Sequence, residues 1–473
     1  MKERMNMKLR TLILAISLVF GVSTSLFAQP AAVKKAADAA FTLTTFKADG
    51  SILATSNGVC ISTDGIAVSP WKPFIGADKA VIVDSKGQEH DVECLLGANE
   101  IYDIAKFQVS GKTAAAPLAT TVSAGDEVWL TPILKSGNAE KANVTSVEKF
   151  MDRYNYAILS SSATDKMNGV PVFDKKGQVI GLYNKSGDSQ SSTDANYAKD
   201  FVLKGLSQND ITLRQSDIRI GLPNTLEEAV VALMLSSEKP ANIHEAIVNE
   251  FITKFPQSND GYYALANIQI AKGEVANADK TMQTAIGKVT AKDEAHYNFA
   301  RLIYRNAFIP EFEEKAKAIG WTLDKALDEI QKAQSAKAND AYRHLQAQIT
   351  YAKGDYAKAY TDFEALTKTK FNNPELYLEM AQSRQHLGGT DQEILDLLNK
   401  SIELCDTPYV STSAPYFYTR GQQLEKMGEY RKAVQDYYTY EYFNQGRLSA
   451  AFYYMREQCE VKGRMWQQAL QDI

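Results

Sequence analysis

Histidine and cysteine are scarce in this chain of 473 residues, with five of the first and four of the second. Cys60, Cys94, Cys405 and Cys459 stand too far apart to form a CxxC pair, which excludes the usual zinc and dithiol-redox motifs. No histidine lies near any of them in a pattern that would make a thiolate nucleophile. In an oxidising compartment Cys60 can pair with Cys94, and Cys405 with Cys459; the other reading is four small buried hydrophobes. Positive charge is not in excess either, because 52 Lys and Arg against 57 Asp and Glu leave a formal net charge of -5. A mildly acidic chain has no electrostatic footprint for a phosphate backbone, so nucleic acid is not an expected partner.

Long apolar runs are missing as well. Leu12–Val22 falls short of the about 20 residues that a bilayer span requires. It follows the basic stretch Lys2–Arg10 and precedes Leu26-Phe27-Ala28, the order of a secretory signal peptide over residues 1–28 with cleavage after Ala28. Gln29 stands where a lipoprotein needs cysteine. The expected mature chain is periplasmic or secreted and has no transmembrane segment. No cofactor and no metal is expected from any motif.

What is present divides the chain. Its length exceeds one ordinary core, and 45% hydrophobic with 23% charged residues is the composition of soluble folded domains. Within residues 31–206, short alternating or apolar runs recur between Gly, Asp and Ser. They are Gly58–Ser62, Ile66–Ser69, Ala80–Asp84, Asp91–Leu96, Ile104–Val109, Glu127–Thr131, Ala157–Leu159 and Val179–Tyr183. That spacing predicts a β-sandwich or barrel. His90, in Gln88-Glu89-His90-Asp91, reads as a solvated turn residue. Residues 207–224 are polar and broken, with Gly221 and Pro223 near their end, and read as a linker.

From residue 225 to 473 the period is helical, and one grammar repeats. Gly273 is followed by Ala278 and Met282, Gly354 by Tyr356, Ala359 and Phe363, and Gly428 by Tyr430, Ala433 and Tyr437. Glycine serves the turn, alanine lets two helices approach, and the large residue one turn on fills the space beside it. One helix pair cannot bury its apolar stripe alone, so neighbours stack into an array with a concave face. Five or six units are expected, the first near Leu226–Pro256 and the third interrupted by Phe308–Trp321. A further one starts at Ser449 with Gly463 and Ala469. The dense aromatics Tyr437, Tyr438, Tyr440, Tyr442 and Phe443 read as helix packing.

Lys166–Tyr183, KMNGVPVFDKKGQVIGLY, resembles the nucleophile segment of trypsin-like serine proteases of the HtrA type, G-N-S-G-G-P-L followed by G-x-V-I-G-I. Gly169, Pro171, Val172, Gly177, Val179, Ile180 and Gly181 match. The run from Gly58, GVCISTDGIAVSPWKPF, is similar to the segment that carries the family's general-base histidine, and YDIAKFQV to the one with its aspartate. LATTVSAGDEVWL resembles the start of the second barrel, and Asn196–Leu206 the closing helix. The resemblance implies a double β-barrel over residues 31–206 with a degenerate triad: Lys72 for the base, Asp103 for the carboxylate and Asn168 for the nucleophile. An amide cannot be activated to attack a carbonyl carbon, and a lysine of ordinary pKa, about 10.4, is protonated at neutral pH. Lys166 also replaces a glycine of the family's oxyanion hole. Asp103 is then expected to be a turn or cap carboxylate. The alternative is a relocated serine peptidase of the Ser–Lys type, with Lys72 activating Ser160, Ser161 or Ser162.

The helical grammar resembles the tetratricopeptide repeat, whose first halves fit at Tyr262, Leu265 and Ala266 and at Phe417 and Gly421. The resemblance implies a superhelix that holds a protein or peptide in its groove. Asn267 and Asn298 match two positions of the family's carboxylate clamp. Tyr263 and Asp340 stand where its lysines belong, so the clamp is not carried over. The groove is expected to include Tyr263, Asn267, Asn298 and Arg301. The expected whole is an all-β trypsin-like double barrel followed by an all-α tetratricopeptide solenoid: an exported scaffold or adaptor whose barrel domain is catalytically inactive.

Overall fold

The computed structural model of the chain describes residues 29–131, 139–306 and 309–472. The signal-peptide reading of residues 1–28 lies outside them, as do Phe308 and Ile473. After a short helix α1 (Ala31–Ala36), six strands follow: β1 (Ala40–Phe46), β2 (Ile52–Cys60), β3 (Ile66–Ser69), β4 (Lys79–Asp84), β5 (Glu89–Asn99) and β6 (Ile104–Val109). They pair antiparallel and close in the order β1-β2-β3-β6-β5-β4. Six more strands, β7 (Glu127–Leu130), β8 (Glu140–Phe150), β9 (Tyr154–Ser160), β10 (Pro171–Asp174), β11 (Val179–Ser186) and β12 (Ser189–Thr193), close in the order β7-β8-β9-β12-β11-β10. One topology is used twice.

Closure removes the sheet edges and turns one face of every strand inward. Phe41, Leu43, Ile82, Leu95 and Phe107 fill the first barrel with Trp71 and Phe74, while Val128, Leu130, Val144, Val172 and Tyr183 fill the second. A third cluster joins the barrels, where Val59, Val68 and Ile104 meet Phe150, Tyr154 and Phe173. Tyr197, on helix α2 (Ala195–Lys199), stands edge-on to Phe150 at 5.2 Å in that cluster. The eight runs singled out in the sequence each overlap a strand; β1, β8, β10 and β12 have no counterpart among them.

Two local expectations are corrected. His90 is buried in β5, with Nδ1 2.7 Å from the Ser110 carbonyl and Nε2 3.6 Å from Asp84 Oδ2. The reason is register: His90 pairs opposite Ile82 of β4, and strand alternation turns it inward. The closing helix stops at Lys199 rather than running to Leu206. Lys106 Nζ donates to the carbonyls of Lys199 and Phe201, at 2.8 Å each, and so takes two acceptors near the helix end.

Residues 207–224 are not a loose connection. Gly221 N donates to Leu95 O at 2.9 Å, Leu95 N to Arg219 O at 2.8 Å, and Ser216 Oγ to Ala77 O at 3.0 Å. Leu213, Ile218 and Ile220 join the core of the first barrel. Two helices, α3 (Leu226–Ser236) and α4 (Ala241–Lys254), then complete this compact unit, and the chain divides after Lys254. The helices expected to open the repeat array therefore belong with the barrels.

The second unit consists of helix pairs: α5 (Asn259–Ala271) with α6 (Val275–Lys288), α7 (Lys292–Asn306) with α9 (Leu323–Ala336), and α10 (Asp340–Ala352) with α11 (Tyr356–Thr367). They continue as α12 (Pro374–His386) with α13 (Asp391–Glu403), α14 (Ala414–Lys426) with α15 (Tyr430–Phe443), and α16 (Ala450–Lys462) with α17 (Trp466–Ala469). Each pair packs on the next, which makes the unit a helical solenoid. Ala278, Ala359 and Ala433 are fully buried at the crossings beside Met282, Phe363 and Tyr437. Gly273, Gly354, Gly388 and Gly428 turn the chain at φ of 73°, 87°, 71° and 79°, where a Cβ is unwelcome. In the last pair Arg464 holds that conformation, at φ 58°, five residues before Ala469. The turn residue is therefore Arg464 and not Gly463. Gly463 serves packing instead, since a Cβ there would lie 3.0 Å from Tyr430 Cβ. Helix α8 (Glu313–Ala318) lies in the expected interruption, and Trp321 Nε1 fastens this segment to Asp279 Oδ1 at 2.8 Å. Of the aromatic run, Tyr437 is buried, Tyr438 and Tyr440 pack against its cluster, and Tyr442 is exposed. No helix among the described residues is long and apolar enough to cross a membrane.

Candidate functional site

The three triad positions stand around the junction of the two barrels. After β3 the chain makes one tight turn, Lys72–Phe74, anchored by Trp71 stacked on Phe74 at 5.8 Å. The open backbone N–H groups at the start of that turn need an acceptor. Asp103 supplies it: its Oδ1 accepts from Trp71 N at 2.9 Å and from Lys72 N at 2.8 Å. The Lys72 ammonium lies 3.5 Å from Asp103 Oδ2, with the lysine side chain 73% exposed and the aspartate 18% exposed. Such a pair contributes little to stability. Asp103 therefore acts as a cap, and Lys72 has a carboxylate for its neighbour rather than a hydroxyl.

Asn168 is held in a different way. Its Oδ1 accepts from Lys185 N at 2.7 Å and its Nδ2 donates to Lys185 O at 3.3 Å, so the amide imitates one more residue pair beside β11. Its own carbonyl accepts from Asn57 Nδ2 of β2 at 3.1 Å, a bond from one barrel to the other. Gly169, at φ 84°, comes so close to the first barrel that a Cβ would lie 2.6 Å from Asn57 O and 2.9 Å from Pro70 Cδ. The segment that resembles a nucleophile loop is thus a barrel-to-barrel clasp.

Two of the three serines of the alternative reading are engaged elsewhere, while Ser160 is exposed at the end of β9. Ser161 and Ser162 donate to Glu140 Oε1 at 2.7 and 2.9 Å. Gln190 Nε2 donates to Ser161 O at 2.9 Å, and Tyr183 OH to Ala163 O at 3.1 Å, which fixes this loop. Among the described residues no hydroxyl is hydrogen-bonded to Lys72. Asn57, Glu140 and the Lys185 backbone carry the local geometry, yet nothing in composition or spacing marks them. Strand register alone brings them to the site.

All four cysteines are free thiols, which corrects the paired reading. Burial pushes Cys60 up to about 11 and Cys94 and Cys459 up to about 12, so these thiols are inert at neutral pH. Among the described residues no group of three or more His, Cys, Asp and Glu could hold a metal ion.

In the helical unit the four expected groove residues do not behave alike. Asn267 Nδ2 turns back to donate to Tyr263 O at 2.7 Å, one turn earlier on α5. The Arg301 guanidinium lies over the Tyr263 ring, with Cζ 4.9 Å from the centroid, and this brings α7 and α5 together. The Asn298 side chain, one turn before Arg301, makes no hydrogen bond to another described residue. No protein-family model and no curated protein sequence matches the chain.

Proposed function

We propose that the chain is an exported binding protein. In this reading a trypsin-like double barrel has lost its hydrolytic chemistry, and a tetratricopeptide-type array holds a protein or peptide segment. The observation that carries it is the Asn168 amide, engaged on both its oxygen and its nitrogen by Lys185 at the position the family resemblance gives to the nucleophile. Acyl transfer needs a hydroxyl or thiol beside a base, with that base oriented by a third group. Here the amine at the base position faces Asp103, and Ser161 and Ser162 donate to Glu140. These contacts favour the binding reading over a Ser–Lys peptidase. The repeated helix pairs, with buried alanines at each crossing, support the array as the binding part.

The test uses the chain of residues 29–473, incubated with unfolded casein and, separately, with a fluorophosphonate probe that labels activated serines. Neither cleavage nor labelling is expected, and Asn168→Ser should gain neither, because no histidine accompanies it. Stoichiometric labelling of any serine would overturn the reading. A random decapeptide display library panned on the same chain should yield enriched sequences, and a library with no enrichment would remove the binding half.

A further inference from the structure

Four of the nine arginines in the helical unit have a carboxylate partner among the described residues. Arg343 pairs with Asp340, Arg384 with Glu393, Arg420 with Asp436, and Arg456 with Glu441 and Asp472. Arg301, half-buried on α7, pairs with none among the described residues. Its Nε is buried without an acceptor, and so is the hydroxyl of Tyr263, the ring on which its guanidinium rests. The terminal nitrogens make no hydrogen bond within the described chain and keep contact with solvent.

Two adjacent buried donors with no acceptor are an unbalanced arrangement, because a polar group taken from water costs free energy until it is paired. The guanidinium offers only donors, so what completes the arrangement is an acceptor, and a charged one suits the unpaired cation best. Stacking on Tyr263 fixes the planar fork in advance, which lowers the entropy lost on binding and favours a bidentate partner. Asn298 adds an amide one turn away on the same helix face. A planar carboxylate meets all of these demands. The geometry also separates two sources of that carboxylate. Helix α7 is flanked by first helices on both sides, α5 before it and α10 after it, and packs against each. An extended segment lying across these helices would run past Arg301 rather than end there.

We propose that Arg301 receives the side-chain carboxylate of an aspartate or glutamate in an extended acidic peptide, with Tyr263 holding the guanidinium in place. The proposal rests on the reading of the helical array as a peptide-binding surface, and its test separates the two. A random decapeptide display library is panned on the chain of residues 29–473 and on its Arg301→Gln variant. Expected are sequences sharing an acidic residue at one position, an enrichment that the variant loses. The best sequence, synthesised with both ends blocked, should bind the unaltered protein at least tenfold more tightly than its Glu→Gln or Asp→Asn form. The variant should bind both forms equally weakly. Arg301→Lys should recover only part of the difference, because it keeps the charge and loses the fork. Unchanged helical circular dichroism in both variants shows that the array is intact. Enriched peptides without a shared acid, or an acid preference that survives Arg301→Gln, overturn the assignment while leaving peptide binding in place. Dependence on a free C-terminus would assign the carboxylate to a chain end and overturn it too. No enrichment at all would remove the peptide-binding reading itself.

Discussion

At the scale of single residues, what decides the chemistry is which neighbour each polar group has. Asn168 satisfies the Lys185 backbone in both directions, so it has a structural role at the position that the proposed resemblance gives to the nucleophile. Asn168→Ala should leave that backbone partly unpaired and lower stability by about 1–3 kcal/mol, read from the urea midpoint of the barrel transition. An unchanged midpoint would mean that water replaces the amide without loss. The identities of Lys72 and Asn168 were legible because they sit inside ordered motifs. The partner of Asn168 was not, since Lys185 reaches it through register, which no local pattern records, and Glu140 reaches Ser161 and Ser162 in the same way.

Glu329 shows the same limit. Its side chain is 3% exposed and accepts from His296 Nδ1 at 2.6 Å, Lys325 Nζ at 2.8 Å and Lys332 Nζ at 3.0 Å. Burial raises its pKa, but the hydrogen bonds from Lys325, His296 and Lys332 outweigh it and hold the carboxyl below its ordinary value of 4.5. A carboxyl whose pKa is lower in the folded state stabilises that state fully above its unfolded value, and the contribution is lost as pH falls through the folded value. Glu329→Ala should therefore cost about 2–3 kcal/mol at pH 7, below the range for a fully enclosed pair because both lysines keep solvent contact. The gap between variant and parent should narrow below about pH 4, beneath the ordinary carboxylate range. A gap independent of pH between 7 and 3 would show that packing, not charge, makes Glu329 important.

At the scale of elements, the helical half was the more legible, because its grammar is local: a glycine turn, an alanine crossing and a large residue one turn later. Ala433 is fully buried where α15 crosses its partner, and a Cβ on the facing Gly421 would already lie 2.7 Å from the Tyr437 ring. Ala433→Leu has nowhere to place its added atoms and should cost about 1–3 kcal/mol in thermal unfolding. A variant that melts with the parent would show a looser crossing. The last turn was misread because Gly463 drew attention one residue early. Arg464 carries the left-handed conformation at φ 58°, so Arg464→Gly should stabilise the final pair by about 1 kcal/mol, visible as slower amide exchange in α16 and α17. Faster exchange there would mean that the arginine side chain holds the turn. In the barrel half, strands such as β8 are mostly polar on their exposed face and gave no run to find, whereas β6 alternates cleanly and did.

At the scale of the molecule, the boundary between the two units was hidden by composition. Residues 207–224 are mostly polar and read as a connection, yet Leu213, Ile218 and Ile220 are buried in the first barrel and the backbone at Arg219 and Gly221 pairs with Leu95. Burying an aliphatic side chain contributes about 1.5–3 kcal/mol, so three of them amount to about 5–9 kcal/mol as an upper estimate. A whole domain is stable by only about 5–15 kcal/mol. A fragment of residues 29–206 should therefore be soft: exposed apolar surface that binds a hydrophobic dye, and a broad thermal transition. A fragment of residues 29–254 keeps those side chains together with α3, where Glu228 accepts from Gly205 N at 2.5 Å, and should melt cooperatively. Scanning calorimetry on the two fragments decides the point. Equal, sharp transitions would mean that the segment after residue 206 adds nothing to the barrel, and that the break lies where the polar composition alone places it.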